Sequence, residues 1–102
     1  MKIFDLMELG AQMHDKRAAN VFFKNETFKT RVIVLEPWGE IPECDMESYV
    51  IFYVVKGEVT LNKNEETSIL AENQVFITEP ATLSMKSDGG ARLMGVQIEV
   101  RE

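Results

Sequence analysis

A chain of 102 residues is enough for one compact domain and too short for two. Its hydrophobic fraction of 45% and charged fraction of 27% are those of an ordinary globular protein and exclude a disordered one. The net charge of −6, with basic residues scattered rather than clustered, argues against a nucleic-acid or anionic-membrane surface. The opening stretch MKIFDLMELG carries Asp5 and Glu8 and has no sustained apolar run, so no signal peptide is expected. Nor does any run reach the ~18 apolar residues of a membrane helix. A reducing cytoplasm is the expected compartment. Ile3, Leu6, Met7 and Met13 predict an extended start with one helical turn, which Gly10 keeps short. The densest basic group, DKR at 15–17, reads as a solvated loop.

ANVFFK (19–24) and TFKTRVIVLE (27–36) flank NE at 25–26, a tight hairpin. PWGEIP (37–42) reads as a loop fixed by two prolines and a glycine. SYVIFYVV (48–55), KGE and VTLN (59–62) read as a strand, a glycine turn and a returning strand. KNEE turns into TSILA (67–71), ENQ leads to VFIT (75–78), and EPA leads to TLSMK (82–86). SDGG (87–90) reads as a strong hairpin turn before ARLMGVQIEV (91–100). About eight or nine strands, spaced by roughly 8–12 residues, predict an all-β antiparallel sandwich or barrel. VIFYVV is apolar at every position, so both its faces are expected to be buried. One face would look into a barrel, and the other would meet a second sheet or a partner subunit.

In order and spacing, these segments resemble a small single-domain cupin, over roughly residues 18–100 of a single domain 1–102. EPWGEIP matches the bend and the Ile-Pro of the first cupin motif, and VIFYVVKGEVTL matches its strand pair. ENQVFITEPATLSM matches the second motif in length and apolar pattern. The resemblance implies an antiparallel double-stranded β-helix, the jelly-roll or cupin barrel. It also implies a metal site built from histidines and an acidic residue. Counting back from Gly57, the two first-motif histidine positions are Cys44 and Met46 and the acidic position is Val50. This register aligns Ile41-Pro42 with the family's Ile-Pro. In the second motif the histidine position is Ser84, and the usual Pro and Gly are Glu79 and Ala81. Counting from Gly39 instead would place Asp45 and Glu47 in the paired positions, with a one-residue deletion before Gly57.

Period-2 alternation puts residues 44, 46, 50, 52 and 54 on one strand face. The candidate ligand pocket is therefore Cys44, Met46, Val50, Phe52 and Val54, with Ser84 from the second motif. A transition ion wants imidazole and carboxylate donors, and this face offers a thiol, a thioether and a hydroxyl. No metal, cofactor or catalytic residue is expected. Cys44 reads as a small buried hydrophobe, because a reactive thiolate needs a base or positive field and the single histidine, His14, lies outside the strands. Glu43, Asp45 and Glu47 read as a solvated surface. Trp38 is placed at the barrel mouth, as a pocket cap, a dimer contact or simple loop packing. Arg92 and Gln97 are polar candidates on the last strand.

Three functions fit these residues. The first is a metal-free cupin-like protein that binds a small organic ligand as a sensor or accessory protein. The second is a metal-independent isomerase or epimerase, which would need a general base in the pocket. The third is a structural or interaction role, with a filled cavity and a homodimer formed through the second face of VIFYVV.

Overall fold

The computed structural model describes residues 1–10 and 20–100. Among them are eight strands: β1 (Val21–Lys24), β2 (Phe28–Leu35), β3 (Gly39–Met46), β4 (Tyr49–Lys63), β5 (Glu66–Ala71), β6 (Val75–Thr78), β7 (Ala81–Ser87) and β8 (Ala91–Ile98). All pairings are antiparallel, and they form two faces joined through β4. One face runs β1-β2-β8-β4-β6, using the first half of β4. The other runs β3-β7-β4-β5, using its second half. Ile33, Leu35, Val50, Phe52, Val54 and Leu93 from the first face meet Val59, Leu61, Leu70, Leu83 and Met85 from the second in one core. Burying each such side chain stabilises the fold by about 1.5–3 kcal/mol, which is why the apolar residues of every strand converge between the two faces.

Three sequence expectations are corrected. The glycine turn at KGE is not a reversal. Strand β4 continues through it, because Gly57 at φ 86 bends the backbone instead of folding it back. Before the bend β4 pairs with β8 and β6, and after it with β5 and β7. SDGG does not close a hairpin either. Strands β7 and β8 are sequential but lie in different faces, so the segment is a crossover between them. Finally, PWGEIP is not wholly a loop, since β3 begins at Gly39 and runs through Pro42. Proline has no N–H for the ladder and is tolerated on an edge strand or at a bulge. Pro42 has both conditions, because β3 is the outermost strand of its sheet and its pairing with β7 shifts register between Ile41 and Cys44.

Other turns follow their local chemistry. Asn25 Oδ1 accepts from the N–H of Thr27 at 2.8 Å and of Phe28 at 2.9 Å, closing the β1–β2 hairpin as an Asx turn. The β4–β5 hairpin turns at Asn64 and Glu65, both with positive φ, as a two-residue turn of the I′ kind requires. Near the N-terminus, Asp5 O accepts from the N–H of Glu8 at 3.0 Å and of Leu9 at 3.1 Å, giving a single turn. Arg92 Nη1 donates to the carbonyls of Leu6 at 2.9 Å and Leu9 at 3.0 Å and so ties that turn to β8. Met13, His14 and the DKR group lie outside the described residues. Among the described residues, no helix is long and apolar enough to cross a membrane.

Candidate functional site

The interior is not filled end to end. Between the two faces lies a pocket of about 50 Å³. Antiparallel partners point to the same side of a sheet, so the register of the β2-β8-β4-β6 face shows which rows look inward. One inward row is Arg31, Gly95, Phe52 and Phe76. The row toward one end is Ile33, Leu93 and Val54, and the row toward the other is Gln97, Val50 and Thr78, with Lys29 exposed at its edge. Gly95 sits close under two side chains in the first of these, since a Cβ there would lie 3.2 Å from Ile33 Cδ1 and 3.4 Å from Phe52 Cε1 and one of them would have to give way. Its missing side chain makes room for the Phe52 ring, which stacks on Phe76 with centroids 6.4 Å apart. Across the gap, β3 and β7 supply Ile41, Cys44, Met46, Leu83 and Met85.

The bulge in β3 decides which residues face this pocket. Without it, the face containing Gly39 and Ile41 would continue through Glu43, Asp45 and Glu47. The extra residue at Pro42–Glu43 resets the alternation, so Cys44 and Met46 turn inward and Asp45 and Glu47 are exposed. The Asp45 carboxylate accepts from Thr82 Oγ1 at 2.6 Å on the outer surface.

Of the sequence candidates, Cys44, Met46, Val50 and Phe52 line one pocket. Val54 is buried in the core beside Leu93 and lies outside the pocket lining. Ser84 is in the lining as well. Its neighbours Leu83 and Met85 point inward, and its hydroxyl accepts from Asn62 Nδ2 at 3.2 Å, with Asn62 directly opposite on β4. Trp38 does not cap the pocket, since it is 79% exposed and outside the lining, with its backbone N–H bonded to Ser87 O at 2.8 Å. Arg92 faces outward to the N-terminal turn, whereas Gln97 does line the pocket.

Sequence reading missed Arg31. It is half-buried in the lining and donates through Nη2 to Gln97 Oε1, with Asn20 nearby on the same rim. Arg31 shares parity with Ile33 and Leu35, and that was the available signal. Val32 and Val34 are equally apolar, so TRVIVLE has no hydrophobic alternation to reveal its inward face.

The lining does not suit a transition metal. Among the described residues its donors are one thiol, the thioethers of Met46 and Met85, and neutral oxygens and amides around Arg31, with neither imidazole nor carboxylate. Among the described residues, no group of three or more His, Cys, Asp or Glu could hold an ion. Cys44 Sγ makes one long contact, 3.9 Å to Asp45 O.

No protein-family model and no curated protein matches this chain. Solved structures do. TT1209 from Thermus thermophilus superposes with a TM-score of 0.84 at 24% identity, over 97% of this chain and 98% of its own. An uncharacterized conserved protein with a double-stranded β-helix domain from Klebsiella pneumoniae gives 0.83 at 16% identity, over 96% and 90%. An RmlC-like cupin from Shewanella frigidimarina gives 0.71 at 20% identity, over 78% and 72%. Together with the two antiparallel faces curled around one core, these likenesses establish the fold: this chain folds as a double-stranded β-helix, the fold of the cupin structures it resembles.

Proposed function

We propose that this protein binds a small organic molecule inside its barrel without a metal, as a sensor or accessory protein rather than an enzyme. One observation carries the reading. The positions where a cupin metal would be expected border an apolar pocket in which, among the described residues, Arg31 is the one charged side chain. Small-molecule sites are typically apolar concavities with a few placed polar groups. An isomerase or epimerase needs a general base within reach of its substrate, and the described lining has no histidine, carboxylate, lysine or tyrosine. Elemental analysis of the purified protein tests the metal-free reading. Manganese, iron, nickel and zinc are each expected well below one equivalent. One tightly held equivalent whose removal shifts the Met46 and Met85 methyl resonances would overturn it.

A second copy of the chain is the partner this reading includes. Ile51 and Tyr53 lie opposite Ile77 and Val75 on the outward side of β4 and β6. Val75 is 54% exposed and Ile77 63%, on a strand whose far edge is unpaired among the described residues. None of these four residues carries charge, so the net charge of −6 places no like charges on the patch itself. A two-fold contact there would cover the edge and the patch together. Light scattering at micromolar concentration is expected to give a dimer mass that Ile77→Lys reduces to that of a monomer. A monomeric wild type would refute the dimer.

A further inference from the structure

We infer that the ligand is a small uncharged carbonyl compound, a short ketone or ester, whose oxygen accepts from the Gln97 amide and whose body lies against Met46, Phe52 and Leu83. The inference rests on the pocket being a binding site and adds the chemistry of what enters it. Gln97 is half-buried in the pocket lining, and its Oε1 accepts from Arg31 Nη2. That bond decides which way round the amide sits. The oxygen is held by the guanidinium, and the nitrogen carries two N–H donors that no other described residue accepts. Arg31 acts here only through Gln97, as the group that orients the amide. Other polar groups of the wall are already engaged. Ser84 Oγ accepts from Asn62 Nδ2 at 3.2 Å, and Cys44 Sγ lies 3.9 Å from Asp45 O. A donor at an apolar wall gains most from one acceptor that arrives with the ligand.

The rest of the wall sets the body and the charge of the ligand. Ile33, Ile41, Val50, Phe52, Leu83 and Met85 offer no hydrogen bonds, so a polyol or sugar would leave hydroxyls unpaired. A cation would meet the like charge of Arg31. An anion would lose its hydration against the apolar wall and would have to draw Arg31 away from Gln97, undoing the bond that presents the amide nitrogen. A neutral carbonyl meets neither obstacle. Room of about 50 Å³ accommodates roughly four water-sized groups, which limits the ligand to about four or five non-hydrogen atoms.

The test is a titration of the full-length protein with butanone, propionate and xenon, followed through the Met46 and Met85 methyl resonances. Propionate has nearly the size and shape of butanone but carries a full charge, and xenon reads the apolar room with no hydrogen bond at all. Butanone is expected to shift both methyls saturably and to bind several-fold more tightly than propionate. Gln97→Glu keeps an acceptor for Arg31 and removes both amide donors. It should weaken butanone about tenfold, the worth of one hydrogen bond in a half-buried site, while xenon still shifts both methyls. Gln97→Met also lacks the donors, is close in size, and takes the place of Gln97→Glu if that variant does not fold. Propionate matching or exceeding butanone would overturn the uncharged assignment while the pocket remained a binding site. Butanone affinity that survives undiminished in the Gln97 variants would overturn the amide as its donor. Xenon shifting the methyls where butanone does not would overturn the carbonyl and keep the pocket. If no probe shifts either methyl, the binding reading falls and the carbonyl goes with it.

Discussion

Gly57→Ala is expected to abolish or nearly abolish folding, with a loss of more than about 3 kcal/mol from the 5–15 kcal/mol that holds a typical domain together. Two terms add. Gly57 has φ 86, a conformation that costs a residue with a Cβ about 1–2 kcal/mol. An alanine Cβ would also lie 2.4 Å from Gly90 O and 3.0 Å from Ala91 Cα. Both are backbone atoms at the start of β8, so no rotamer change relieves the clash. Relief would require β8 to move, and β8 pairs with β2 along its whole length and with β4 on its other side. Gly89→Ala is the control, because a Cβ there meets nothing within 4 Å. Urea unfolding monitored by circular dichroism should show Gly89→Ala close to wild type and Gly57→Ala unfolded or strongly shifted. A Gly57→Ala protein within about 1 kcal/mol of wild type would mean that β4 does not bend there as described.

Phe52→Ala is expected to destabilise by about 3–5 kcal/mol, the range for truncating a large buried aromatic ring. Phe52 is 9% exposed, stacks on Phe76 and occupies the space that Gly95 leaves. The same substitution enlarges the pocket, because Phe52 forms part of its wall. Phe52→Leu keeps most of the volume and should lose less stability than Phe52→Ala. The urea midpoint reads the effect. A stability change under about 1 kcal/mol would contradict the packing.

Much of the architecture was legible in the letters. The short β-branched and aromatic runs predicted an all-β antiparallel fold, and the order of the two motif-like segments predicted a cupin barrel. Local chemistry located the strand ends well where it is self-contained, as at Asn25 in its Asx turn. It failed where one residue has two possible meanings. A glycine with positive φ serves a turn or a bend, and nothing local to Lys56–Glu58 distinguishes them. The partners do: β8 and β6 on one side of Gly57, β5 and β7 on the other. SDGG has the composition of a hairpin turn, but its flanking strands pair with different halves of β4.

The candidate site divides the same way. Sequence alone determined that residues 40–61 hold no histidine, that Cys44 is the one thiol, and that VIFYVV is apolar on both faces. Those facts follow from composition and need no partner strand. Which of Cys44 and Met46 or Asp45 and Glu47 look inward was open in the sequence, because a period of two has no memory across a bulge. Only the register of β3 against β7, shifted between Ile41 and Cys44, settled it. Tertiary structure also brought Arg31 beside Gln97, two residues 66 positions apart in the chain, on the rim of the same pocket. Apolar residues on both faces of the strand after Arg31 erased its parity, and inward direction on such a strand is decided by what packs against each face.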